Sequence, residues 1–405
     1  MVNRRVTNAR GVVGVAAWIA GASLLSIVAV CQDTSPWLWG PHLGATGTSA
    51  VALSWETTRT VSIDVQYATA ETYTATGDWT ETFTLDNQTG PVEVWLTELL
   101  AGTEYRYRLV AYDGDAVYPT AVGTLRPPSA DVTSFSFVVY GETATSVERH
   151  RLVAQTVAEE EDPLFVAHVG DFVVSPSTMT YTTFLQAFDP LARSHPVVST
   201  VAHDGSPLYY SMLALPTGGG DSNEQWWTMA VGRVCCIGLD STIDPEEEPI
   251  TWEEQIVWLR HLLATKTKED IIVVFCSDPL YSASYFSATN EPLRQAWESL
   301  FVEYDVDAVF TGGTAGGYEH TFNKGIHYFA TGGGGSVFEA SPNRVAPGTV
   351  FRRYGLLHYM RVIVSETEMH IEAIPIATAL DGGLFFVPST ASIDTVMLGR
   401  SNQEE

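Results

Sequence analysis

The spacing of apolar residues changes once along this chain, near residue 130, and that change limits the architectures open to it. Between 37 and 126 the period is two, as in "AVALSWE", "SIDVQYA", "VEVWLTEL" and "YRYRLVAY". Alternation places every second side chain on one face of a strand, so this stretch reads as an antiparallel sandwich of short strands. Beyond the Pro-containing linker "LRPPSADVTS" the pattern becomes strand, helix, strand. Continuous apolar runs ("SFSFVVYG", "PLFVAHVGD", "RVCCIGLDS", "IIVVFCSDP", "VDAVFTGG", "GIHYFATGG") alternate with helical stretches. The first helix, within "SVERHRLVAQTVAEEE", carries Val147, Leu152, Val153 and Val157 on one side; others fall at about 252 to 264 and 291 to 304. Runs that are apolar on both faces are buried strands, and their alternation with helices gives an α/β layered fold. In such folds chemistry sits on loops beyond the carboxyl ends of the strands.

Twenty uncharged, mostly apolar residues at 11–30 follow Arg4, Arg5 and Arg10. At ~1.5 Å rise per residue such a run just spans a ~30 Å hydrocarbon layer. The preceding arginines place the N-terminus in the cytoplasm and the rest of the chain outside, whether residues 1–31 are a cleaved signal or an uncleaved anchor. The chain as a whole is strongly acidic: formal net charge is −27, and lysine occurs only at 266, 268 and 324. A surface so acidic repels phosphate backbones, which disfavours nucleic acid as a partner. Cys235, Cys236 and Cys276 lie in apolar runs, and neighbours on a strand point to opposite faces. They read as small core residues rather than as a disulfide framework or a thiolate metal site.

Two details sharpen the first domain. Trp55 is a large inward residue on an early strand, and Leu99, Gly102, Thr103 and Tyr105 have the spacing of a tyrosine corner. The stretch resembles a fibronectin type III domain of the kind that precedes purple acid phosphatase domains. The second domain carries five strand-end segments in order: "FVVYGETATSVERHRLVAQTV", "PLFVAHVGDFV", "HPVVSTVAHDGS", "VVFCSDPLYSAS" and "DVDAVFTGGTAGGYEHT". Over about residues 132 to 375 this resembles the calcineurin-like metallophosphoesterases, the purple acid phosphatases among them. The resemblance implies two central mixed sheets flanked by helices, preceded by the all-β sandwich. The implied organisation is 1–31 signal or anchor, 37–126 sandwich, 132–375 phosphoesterase-like domain and 376–405 C-terminal tail.

That family uses two divalent metals to clamp a phosphoryl group and to generate hydroxide from bound water. Its ligands are carboxylates, imidazoles and an amide converging from several loops. Carried over position by position, the set is largely missing here. Glu142 stands for the first Asp, and Ala144 stands where a His or Arg is expected. Asp171 is retained as the bridging aspartate. In the third segment two registers are open: either His203 and Asp204 replace the Asn–His pair, or Ala202 replaces the Asn and His203 is retained. Ser277 takes the place of the fourth segment's histidine, followed by Asp278. Gly313 and Thr314-Ala315 take the places of the last two histidines, and His320 that of the usual Arg. A metal needs about three protein ligands to be held against water. Asp171, Glu142, His203 and Asp204 are therefore vestigial candidates, and no cofactor is expected beyond at most one weakly bound divalent metal.

Each candidate also has a plain reading. Asp171 reads equally as a strand-end cap for backbone N–H groups, Glu142 as a solvated loop residue, and His203-Asp204 as a polar turn. His320 and His327 read as hydrogen-bonded rim residues. Ser277 and Asp278 with His203 suggest a nucleophile and base, but no G-x-S-x-G elbow surrounds Ser277. The acidic stretches "EEEDP" and "DPEEEP" read as solvated turns. The function expected is an exported, inactive phosphoesterase homologue acting as a binding or structural cell-surface protein, with an extracellular protein or glycan as partner. The alternatives are a residual metal-dependent phosphoesterase with a remodelled site, and a self-assembling surface protein whose "NEQWWTM" and "GGLFFVP" aromatics make the contacts.

Overall fold

The computed structural model describes residues 34–203, 205–285, 289–380, 383–387 and 391–399. The signal-or-anchor segment and Asp204 lie outside these residues. Among the described residues no helix is long and apolar enough to cross a membrane. Residues Pro36–Glu405 make one compact unit.

The period-two stretch forms strands β1 (Trp37–Gly47), β2 (Ala50–Thr69), β3 (Glu81–Leu96), β4 (Tyr105–Asp113), β5 (Ala116–Pro119) and β6 (Gly123–Leu125), with a short helix α1 (Ala70–Thr76) after β2. All pairings are antiparallel, and the long β2 is shared: its first part pairs with β1, its second with β4, and β3 runs beside most of it. In β4 the alternation holds as read, with Tyr105, Tyr107, Leu109 and Ala111 buried and Arg106 and Arg108 half-exposed. Trp55 is fully buried among them. The tyrosine corner forms, the Tyr105 hydroxyl accepting the Leu100 N–H at 2.9 Å. β1 also serves the second part of the molecule. Trp39 packs into the α/β core, His42 Nε2 meets Asp189 Oδ1 at 2.6 Å, and the Ala45 N–H donates to Ala214 O.

The remaining elements in chain order are β7 (Phe135–Tyr140), α2 (Val147–Glu160), β8 (Val166–His168), α3 (Thr178–Ala192), β9 (Val197–Ser199), α4 (Pro207–Met212), β10 (Gly218–Gly219), β11 (Trp226–Val231), β12 (Val234–Gly238), α5 (Pro249–Leu263), β13 (Ile271–Cys276), α6 (Glu291–Glu303) and β14 (Ala308–Thr311). They continue with β15 (Gly317–Asn323), β16 (Ile326–Thr331), β17 (Thr349–Tyr354), β18 (Leu356–Val364), β19 (Glu368–Leu380), β20 (Gly383–Phe386) and β21 (Asp394–Gly399). Two mixed sheets result. One runs β20-β19-β18-β7-β8-β9 with β21 beside β19; the other runs β10-β11-β12-β13-β14-β16-β15-β17. The C-terminal stretch, set apart in the sequence as a tail, thus contributes the end of β19 and two further strands.

The sheets face each other across an aromatic layer. Phe137 of one sheet stacks at 4.8 Å on Phe165, which immediately precedes β8, Phe310 stacks on Phe329 at 5.1 Å in the other sheet, and Phe137 meets Phe275 edge-on at 6.2 Å between them. Such ring pairs contribute about 0.5–1.5 kcal/mol each beyond their buried area. Cys235 and Cys236 point to opposite sides of β12, into different apolar clusters, as neighbours on a strand must. Trp226 and Trp227 are both core residues, which removes them from the aromatic contacts assigned to a self-assembling surface. On α2 the buried side is His150, Val153, Ala154 and Val157, with Val147 and Leu152 only half-buried at its edge. Helix starts are set locally. Ser146 caps α2, Ser177 and Thr180 form a capping box at α3, and Asn290 caps α6, each contributing about 1 kcal/mol. "EEEDP" is not merely a solvated turn, because Glu161 accepts from Tyr359 and pairs with Arg361 at 2.9 Å.

Candidate functional site

Parallel strands β7, β8 and β9 in one sheet, and β12, β13 and β14 in the other, end on the same side and bring their loops together. Contact there is close enough that glycine is required. A Cβ on Gly170 would lie 2.7 Å from Ser277 Oγ and 2.8 Å from the Ala202 Cβ; one on Gly312 would lie 2.6 Å from Val169 O. The order read from the sequence therefore does converge in space.

Glu142 and Asp171 both adopt left-handed backbone, at φ +61 and +55. Non-glycine residues held there cost about 1–3 kcal/mol each and persist only where their surroundings fix them. The two loops fix each other: the Glu142 N–H donates to Gly170 O, and the Thr143 N–H and hydroxyl both donate to Asp171 O. The Asp171 carboxylate makes no backbone hydrogen bond among those of the described residues, so the capping role read for it is not what the fold uses. Glu142 is buried rather than solvated, and its Oε1 accepts the Gly313 N–H at 2.8 Å. The carboxylate expected to face a metal braces the glycine loop instead.

His203 stands at the rim with its ring largely exposed and Nε2 3.3 Å from Asp278 Oδ1. Its pKa is raised to about 9, chiefly by that hydrogen bond; burial opposes the rise, and the charges of Asp278, Asp171 and Asp240 add to it. A cationic imidazole bound to an aspartate is no base for a serine. Ser277 is buried against Gly170, so the nucleophile reading fails on geometry. Beside His203 a cleft of about 630 Å³ opens, lined also by Ser206, Tyr210, Asp221, Gln225 and Asp240. Asp240 went unread in the sequence. It is buried, its Oδ1 accepts from the Thr242 N–H and hydroxyl, and its Oδ2 accepts from Gln225. Burial raises its pKa against those bonds. Its signal was an Asp at the end of an apolar strand in "CCIGLDST", the same signature that drew attention to Asp171.

None of the residues of the last segment lines the cleft. His320 is buried, not at a rim: its Nδ1 meets Asp394 Oδ2 at 2.9 Å and its Nε2 meets His327 Nδ1 at 2.9 Å, while the Tyr318 hydroxyl donates to the same Asp394 oxygen. Glu319, on the opposite face of β15, accepts the Ala283 N–H and the Tyr354 hydroxyl. Thr314 and Ala315 are buried, and the Thr314 hydroxyl donates to Gly317 O.

Two divalent metals do not fit this donor set. Ser277, Gly313 and Ala315 supply no strong ligand, and Glu142 is held by a backbone N–H. Among the described residues no three His, Cys, Asp or Glu side chains are grouped to hold an ion.

No family profile matches the chain, and no curated protein is significantly similar to it in sequence. Among solved structures it is similar to a purple acid phosphatase from yellow lupin (Lupinus luteus) seeds, with a TM-score of 0.69 at 13% identity, covering 89% of this chain and 74% of that one. It is equally similar to PhoD, with a TM-score of 0.69 at 12% identity over 91% of each chain. At such identity the likeness concerns the fold, which is the metallophosphoesterase-like layered architecture expected from the strand-end segments.

Proposed function

We propose that this chain is a catalytically inactive phosphoesterase homologue that acts as an exported binding or structural protein. The observation that carries the reading is the hydrogen bond from the Gly313 N–H to Glu142 Oε1. It joins the loop that lost its imidazoles to the acid that would have faced them, so both are spent on architecture. The polar cleft beside His203 supports a binding role, since its walls offer hydroxyls, an amide and carboxylates to an extracellular protein or glycan. The apolar run at 11–30 behind three arginines supports an extracytoplasmic location.

The test is metal content and turnover of p-nitrophenyl phosphate by the purified chain, with Mn, Zn and Fe supplied in turn. Substoichiometric metal and no turnover are expected. Stoichiometric metal, with turnover abolished by Asp171→Ala, would overturn the reading in favour of a remodelled phosphoesterase.

A further inference from the structure

Helix α5 carries two apolar stripes, and the core covers one of them and only the edge of the other. Gln255, Leu259 and Leu263 are buried, with Trp252, Ile256 and one side of Trp258 packed beside them. The other stripe is Pro249, Ile250, Val257 and the half-buried Trp258, at the i, i+7, i+8 spacing of one helix face. Ile250 is 74% exposed and Val257 41% exposed. Together with Glu253, Glu254 and His261 they line a shallow groove of about 610 Å³ that shares no lining residue with the cleft beside His203.

The charges around the groove are one-sided. Glu253 and Glu254 lie within it, and the exposed Glu246, Glu247 and Glu248 precede Pro249 at the N-terminal end of the helix. The basic side chains of α5, Arg260 and His261, are confined to its last turn, where His261 closes one end of the groove. A second copy of this chain would bring the same glutamates against these, on a protein whose net charge is already −27. Anionic lipid is repelled for the same reason.

We infer that this face of α5 docks a basic amphipathic helix of another protein. Its apolar side covers Ile250, Val257 and Trp258, and its lysines or arginines lie toward Glu246–Glu248, Glu253 and Glu254. Helix-in-groove recognition takes its affinity from a few apolar anchors and its orientation and on-rate from the flanking charges.

The test uses the full chain and three fluorescein-labelled 14-residue peptides, read by anisotropy at low and physiological salt. One is a Leu/Lys amphipathic helix, one a Leu/Glu helix with the same apolar face, and one a Lys/Ser peptide with the same charge. The Leu/Lys peptide is expected to bind at least 10-fold more tightly than either control. Ile250→Ser with Val257→Ser should weaken it at least 10-fold, and Glu253→Gln with Glu254→Gln several-fold, with a smaller salt dependence. All four positions are exposed, so the melting temperature of both variants should stay at the parent value. Leu/Lys binding that survives Ile250→Ser with Val257→Ser would place the contact elsewhere on the acidic surface and overturn the inference. So would equal binding of the Leu/Glu peptide, or a peptide-free self-association that the same serine pair abolishes.

Discussion

Replacing Glu142 by alanine and by glutamine separates two roles of one carboxylate, because the roles predict opposite signs. As a strut, Glu142 accepts the Gly313 N–H at 2.8 Å with both residues buried. A hydrogen bond to a charged group contributes about 1.5–3 kcal/mol, and a buried donor left without its acceptor costs a similar amount. Part of that loss is offset because a buried carboxylate no longer has to be desolvated. Glu142→Ala should therefore cost about 2–3 kcal/mol. Glu142→Gln keeps a carbonyl acceptor and should cost under about 1 kcal/mol. Unfolding entropy near 2.1 cal/mol/K per residue, over the roughly 370 residues from Pro36 to Glu405, converts the alanine loss to a Tm decrease of about 3–4 °C. Scanning calorimetry in EDTA measures it. If Glu142 were instead a ligand beside Asp171 in an open acidic site, removing its charge would relieve repulsion. Both variants would then melt at or above the parent in the absence of metal. An alanine variant with an undiminished Tm refutes the strut.

Two further outcomes concern a pair of buried histidines and the tyrosine corner. His150 and His168 are fully buried, His150 stacked on Phe184 at 4.6 Å and His168 on Phe172 at 4.3 Å. Burial, reinforced by Arg151, lowers the His150 pKa to about 3; burial, reinforced by His150, holds His168 well below its usual value. Both are neutral when folded and take up a proton when unfolded, so their contribution is complete above about pH 6.5 and is lost as pH falls toward 3. His150→Phe should flatten the acid limb of a stability-versus-pH curve by roughly 1.4 kcal/mol per pH unit between pH 6 and 4; an unchanged slope would contradict a neutral buried imidazole. Tyr105→Phe removes the acceptor for the Leu100 N–H, and a Tm decrease of about 1–3 °C is expected from a loss of about 1–2 kcal/mol.

What was legible in the sequence was local. The switch from period two to buried runs separates sheet β1–β6 from the layered sheets that follow, because backbone sterics and side-chain direction act between near neighbours. The opposite orientations of Cys235 and Cys236, the tyrosine corner at Tyr105 and the inward Trp55 are consequences of the same short-range geometry. The absence of imidazoles at Ser277, Gly313 and Ala315 is likewise a property of the sequence itself. Only the tertiary structure decided what the surviving polar groups do. Glu142 finds its partner 171 residues away, His320 finds Asp394 across 74, and Trp227 donates to Ser199 O inside the core rather than lining a surface. β1 belongs to two cores at once, and the C-terminal stretch completes a sheet that begins near residue 135. A carboxylate's neighbours across a loop junction depend on which strands end side by side. That is set by the packing of whole sheets, and no local pattern around Glu142 records it.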